Sequence, residues 1–75
     1  MGMTKYGKCK EVLKKLLKES GEEIGLVKLK HAVRKQIGAD EKRTIIPSMQ
    51  IMLDTNLIKD IGNCHFLINQ KEVFQ

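Results

Sequence analysis

Residues 26–56 read LVKLKHAVRKQIGADEKRTIIPSMQIMLDTN, two apolar periodicities joined by three residues. In the first, Leu26, Leu29, Val33 and Ile37 recur at i, i+3, i+7 and i+11, leaving Lys28, His31 and Lys35 on the far side. That spacing predicts a helix over 26–37, closed by Gly38. In the second, Asp40 is a suitable N-cap and Ile45, Met49 and Met52 recur at i, i+4 and i+7, flanked by Ile46 and Leu53. A helix over 41–55 is expected, with Asn56 as a left-handed C-cap. Pro47 lies inside it, where a proline costs ~3 kcal/mol unless the segment kinks or the regular helix begins near Thr44. The connection Gly38-Ala39-Asp40 is the short, glycine-containing turn that sets two helices at a steep angle in a helix-turn-helix.

Upstream, Tyr6, Cys9, Val12, Leu13, Leu16 and Leu17 share one stripe, with Lys8, Glu11, Lys14, Lys15 and Lys18 opposite. A helix over 4–20 is expected, started by Thr4, supported by a Glu11–Lys15 pair and stopped by Gly21. Ile24 reads as a one-residue strand able to pair with a later hairpin, with Gly25 turning the chain. Downstream, Leu57–Ile61 and Cys64–Ile68 are short β-branched or aromatic-containing runs around Gly62-Asn63, a dipeptide suited to a two-residue type II′ turn. They predict a hairpin over 57–68. The tail 69–75 is polar apart from Val73 and Phe74, which either lie back on the domain or meet a second copy. The expected fold is α+β, mostly α: three helices and a C-terminal β-hairpin in one domain spanning 1–75.

Length and composition set the limits of function. Seventy-five residues suffice for one core but not for a second domain with a buried cleft. With three aromatics the core must come from Leu, Ile, Val and Met. The net charge of +5 suits a polyanionic partner, and its placement is uneven. Residues 1–21 carry six lysines against Glu11 and Glu19, and residues 22–38 carry Lys28, Lys30, Arg34 and Lys35 against Glu22 and Glu23. Residues 39–56 are one charge acidic, and residues 57–75 balance. No apolar run approaches the ~20 residues needed to span a bilayer, and the first residues lack a signal-like apolar stretch, so a cytoplasmic protein without membrane contact is expected.

The run Gly38-Ala39-Asp40-Glu41-Lys42-Arg43-Thr44-Ile45, continuing to Met49, Met52 and Asn56-Leu57-Ile58, resembles the winged helix-turn-helix pattern of small prokaryotic, archaeal and archaeal-virus regulators. The resemblance covers residues 24–68. In that family a polar-Arg-Thr-hydrophobic start opens the recognition helix, and a Gly-Leu-Ile signature ends it where the first wing strand begins. Arg43, Thr44 and Leu57-Ile58 match; Asn56 stands where Gly is usual, and Ile46-Pro47 where basic or polar groups are common. The resemblance implies a double-stranded-DNA-binding transcriptional regulator with helix 41–55 in the major groove. Arg43 and Gln50 are then the expected base readers, since guanidinium matches guanine and carboxamide matches adenine. Thr44, Lys28 and Lys35 would take phosphates, Lys42 and Pro47 lie on the same helix start, and Lys59 and Asn63 would contribute from the wing. The alternative is a protein-interaction module, an accessory subunit of a DNA-processing complex, meeting its partner through Ile46, Ile51 and Leu53. A homodimer through the C-terminal tail suits the first reading, because paired half-sites raise affinity.

No nucleophile with a base, no paired carboxylates on an apolar background and no Gly-rich phosphate loop is present, so neither an enzyme nor a cofactor is expected. Cys9 and Cys64 are far apart and form no CxxC pair, and His31 and His65 add no tetrahedral ligand set, so no metal is expected. The cysteines read as free thiols or as one long-range disulfide.

Overall fold

A computed structural model describes residues 4–75; residues 1–3 of the expected domain lie outside it. The elements run α1 (Lys5–Ser20), β1 (Glu23–Gly25), α2 (Leu26–Gln36), a π-helical turn (Glu41–Ile45), α3 (Ile46–Asp54), β2 (Ile58–Gly62), β3 (His65–Ile68) and α4 (Gln70–Val73). The protein is thus α+β and mostly helical, with one small antiparallel sheet in the order β1-β3-β2.

Thr4 caps α1 as its chemistry suggests: its hydroxyl accepts from the Gly7 amide at 3.1 Å. At the other end the Gly21 amide donates to Leu17, with Gly21 at φ +84°, a conformation glycine adopts without a Cβ penalty. The surface ion pair on α1 joins Glu11 to Lys14 at 2.9 Å instead of to Lys15. Ile24 is central to a three-residue strand, paired with Phe66 across β1 and β3. The strand leads directly into α2, whose first amide, on Leu26, donates to the Cys64 carbonyl at 2.7 Å.

α2 ends at Gln36, one residue before the expected boundary, with Ile37 as its cap. The segment expected as one helix over 41–55 is in two parts. Asp40 caps the start through its carboxylate, accepting from the Arg43 amide at 3.0 Å, but the first turn is a π turn in which Ile45 donates to Asp40 and Ile46 to Glu41. Pro47 is the physical reason. Its ring would crowd the carbonyl of Arg43 in a regular α-helix and it has no N–H to give that carbonyl. The wide turn places Pro47 at the second position of α3, where a missing N–H costs little, and Lys5 Nζ donates to the Arg43 carbonyl at 3.3 Å. The buried face of this segment is Ile45, Ser48 and Met52; Met49, expected in the core stripe, is only half-buried.

Asn56 closes the helical segment at φ 62°, as expected of a left-handed cap. The hairpin turn is shifted by one residue from the expected Gly62-Asn63. Gly62 pairs with His65, so the two-residue turn is Asn63-Cys64, both at positive φ as in type I′, and Ile61, left without a partner between Asp60 and Gly62 (φ +91°), makes a bulge in β2. The tail folds back through Val73, buried against the core, while Phe74 stays 60% exposed beside the Lys14 ammonium. Buried apolar side chains from α1, α2, the α3 segment and the sheet form one core around Leu13, Leu29, Ile45, Met52 and Leu57. Cys9 lies in that core and Cys64 on the surface, both as free thiols.

Candidate nucleic-acid interface

Two carboxylates and two cations crowd the chain between α2 and α3. Asp40 is engaged by the Arg43 amide, and Glu41 accepts from Lys30 of α2 at 3.1 Å. With both acids partnered, the side chains of Lys42 and Arg43 are exposed and make no ion pair among the described residues. Thr44 is half-buried and held against Gly38: a Cβ on Gly38 would stand 3.2 Å from its hydroxyl oxygen. The start of the α3 segment is therefore a rigid, capped turn presenting two free cations.

Farther along, the outer face changes character. Ile46 is 52% exposed, Pro47 is half-buried beside it, and α3 itself carries no basic residue. Gln50, expected to read a base, has its amide donated to Asp54 at 2.8 Å. Ile51 and Leu53 pack against the core, so the three apolar residues of the protein-partner reading do not form one exposed patch; Ile46 stands apart from them.

The remaining expected site residues fall into separate groups. Lys28 and Lys35 are exposed on one face of α2, two turns apart. Lys59 is exposed on β2 and lines a shallow groove with Leu53 and Asn56 at the far end of α3. Its sequence neighbour Asp60, of opposite charge, accepts from the Gly62 amide at 2.9 Å. Asn63 occupies the hairpin tip. The structure thus brings Lys42, Arg43 and Thr44 together and leaves Lys59 near the other end of α3 and Asn63 at the hairpin tip, next to Cys64, whose carbonyl meets the start of α2.

Lys35, expected to take a phosphate, is joined on the opposite flank by two cations of α1. Lys8 and Lys15 of α1 and Lys35 of α2 line one groove, floored by Val12 and Ile37. The i,i+7 spacing of Lys8 and Lys15 puts them on one helix face, but only the packing of α1 against the end of α2 adds Lys35. Behind the start of α3, burial pushes the Cys9 thiol above its ordinary 9.0, outweighing a hydrogen bond with Ser48 and the charge of Lys5.

Among the described residues no group of three or more His, Cys, Asp or Glu side chains is placed to hold a metal ion, and no helix is long and apolar enough to cross a membrane. Comparison with known proteins finds no matching family model, no matching curated protein and no matching solved structure.

Proposed function

We propose that the chain is a winged helix-turn-helix domain that binds double-stranded DNA as a cytoplasmic transcriptional regulator, with the start of the α3 segment entering the major groove. The element order supports this reading: α2, a short turn, the α3 segment, then a hairpin whose inner strand also pairs with β1. The observation that carries it is the freedom of Arg43. Its side chain is exposed at a capped helix start, in no ion pair among the described residues, while Asp40 accepts from the Arg43 backbone amide and Glu41 from Lys30, so the guanidinium remains available as a bidentate partner for guanine. Lys42 beside it and Lys28 on α2 take phosphates, and Lys59 and Asn63 add hairpin contacts. Gln50 joins only by releasing Asp54. No cofactor is required, and the exposed Phe74 supplies the tail with a contact for a second copy.

The exposed Ile46 and the absence of a basic residue on α3 favour a second reading, an accessory protein-interaction module that docks through this outer face. Arg43→Ala separates the two. In the first reading it weakens binding to a preferred duplex site by ~1 to 3 kcal/mol and relaxes sequence preference at one position, with the melting temperature unchanged. Unaltered affinity and preference would remove Arg43 from the interface.

A further inference from the structure

We infer that the groove between α1 and the end of α2 carries the phosphate backbone of the bound duplex, so that the main electrostatic track leaves Arg43 along α1 and not along the hairpin. The inference rests on the duplex-binding reading above. Lys8, Lys15 and Lys35 converge on this groove from two helices and all three are exposed. The single acid at its edge, Glu11, is bound to Lys14. No ion pair among the described residues uses Lys8, Lys15 or Lys35.

The groove is joined to the α3 segment by a direct contact. Lys5 Nζ reaches the Arg43 carbonyl at 3.3 Å, and Lys8 is the next residue along the same face of α1. Ile37, at the groove floor, runs directly into Gly38, which lies against Thr44. Lys5, beside the Arg43 backbone, and Lys8, one turn on, thus lead along α1 to the groove that Lys15 and Lys35 also line. Its floor is apolar and lysine-rimmed, and Lys8 and Lys15 stand two turns, about 10 Å, apart along α1, a separation suited to successive phosphates of a linear polyanion and too wide for one small anion.

The hairpin offers no equivalent. Lys59 is its one lysine and is followed by the acidic Asp60, the tip residues Asn63 and Cys64 are uncharged, and Ile61 is exposed on the same strand.

The test is a salt series of fluorescence anisotropy titrations with a mixed-sequence duplex, comparing the full chain with the triple variant K8Q/K15Q/K35Q and with K59Q. Each phosphate contact contributes about 0.9 to the slope of log affinity against log salt, so the triple variant is expected to lose about two to three units of slope. At low salt it loses ten-fold or more in affinity, whereas K59Q loses at most one unit of slope. Thermal melts establish that both variants are folded, and the single reversal K15E serves if the triple variant is not, with an expected loss of affinity larger than that of K59Q. A full chain that binds the duplex while the groove variant keeps its slope overturns the track and leaves the duplex reading standing. Equal losses in K59Q and the groove variant overturn it as well. A folded full chain that fails to bind any duplex at low salt overturns both.

Discussion

Gly38 and Thr44 are packed so closely that a Cβ on Gly38 would stand 3.1 Å from the Thr44 methyl and 3.2 Å from its hydroxyl oxygen. Gly38 has no positive φ, unlike Gly21 and Gly62, so the position needs glycine for space and not for backbone freedom. Thr44 is β-branched and stiff at χ1, which limits how far it can yield. Gly38→Ala is therefore expected to destabilise by about 1 to 3 kcal/mol in chemical denaturation. In a Thr44→Ala background the same change is expected to cost at least about 0.5 kcal/mol less, in the range measured for contacting pairs. An undiminished cost would place the strain elsewhere. Because the contact also fixes the start of the α3 segment, Gly38→Ala should weaken any duplex binding that depends on Arg43.

Ser48 is completely buried, and its hydroxyl has no hydrogen-bond partner among the described residues. It sits against Cys9, whose thiol donates to the Ser48 carbonyl at 3.6 Å. An unpartnered buried hydroxyl costs free energy, and alanine is the better helix former. Ser48→Ala is expected to raise stability by about 1 kcal/mol, read as a higher denaturation midpoint at unchanged slope. A clear loss would show that the hydroxyl is satisfied in solution.

The two cysteines differ in the same way. Cys64 is exposed and Cys9 buried, so a thiol reagent at neutral pH is expected to label one residue in the native protein and both in denaturant. Rapid labelling of both in the folded state would contradict the packing of α1 against α3. Burial holds the Cys9 thiol protonated above its ordinary 9.0, so the folded state keeps this proton longer than the unfolded chain. The associated stability is whole below 9.0 and declines as pH rises beyond it, because the unfolded state then releases its proton first. Cys9→Ala should show a smaller alkaline loss than the parent chain.

At the hairpin tip Asn63 and Cys64 have φ values of 54° and 59°. Asparagine accepts this conformation readily, whereas a cysteine carries the ordinary Cβ penalty of about 1 kcal/mol or more. Cys64→Gly creates the Asn-Gly dipeptide favoured in type I′ turns and removes no buried surface. It is expected to stabilise the protein by about 1 kcal/mol, less the entropy cost of glycine in the unfolded chain. A destabilised variant would mean that the turn does not adopt this geometry.

The part of the fold legible in the sequence was local chemistry. Thr4, Asp40 and Asn56 act at helix ends through their own side chains or their tolerance of left-handed backbone, and each does so where expected. Ile24 is recognisable as a strand residue because an apolar β-branched side chain sits between a glutamate pair and a glycine. The π turn was half-legible: Pro47 announced a distortion, but periodicity does not say that it takes the form of a wide turn from Asp40 to Ile45. The hairpin turn was misplaced by one residue because Gly62 is equally suited to a turn and to the bulge it flanks. Ser48 displaces Met49 from the buried face because the π turn rotates the residues after it, an effect no 3.6-residue periodicity contains. Among the site residues, Gln50 is held by Asp54, and Lys8 and Lys15 meet Lys35 only through packing, a relation invisible along the chain.

The most direct test of duplex binding is anisotropy of a mixed-sequence duplex titrated with the intact protein across a range of salt concentrations. Several phosphate contacts at the α3 start and its flanks are expected to give tight binding at low salt and a log–log salt slope of about three or more. A folded protein that leaves the duplex unbound at low salt would contradict the account and turn attention to a protein partner at Ile46.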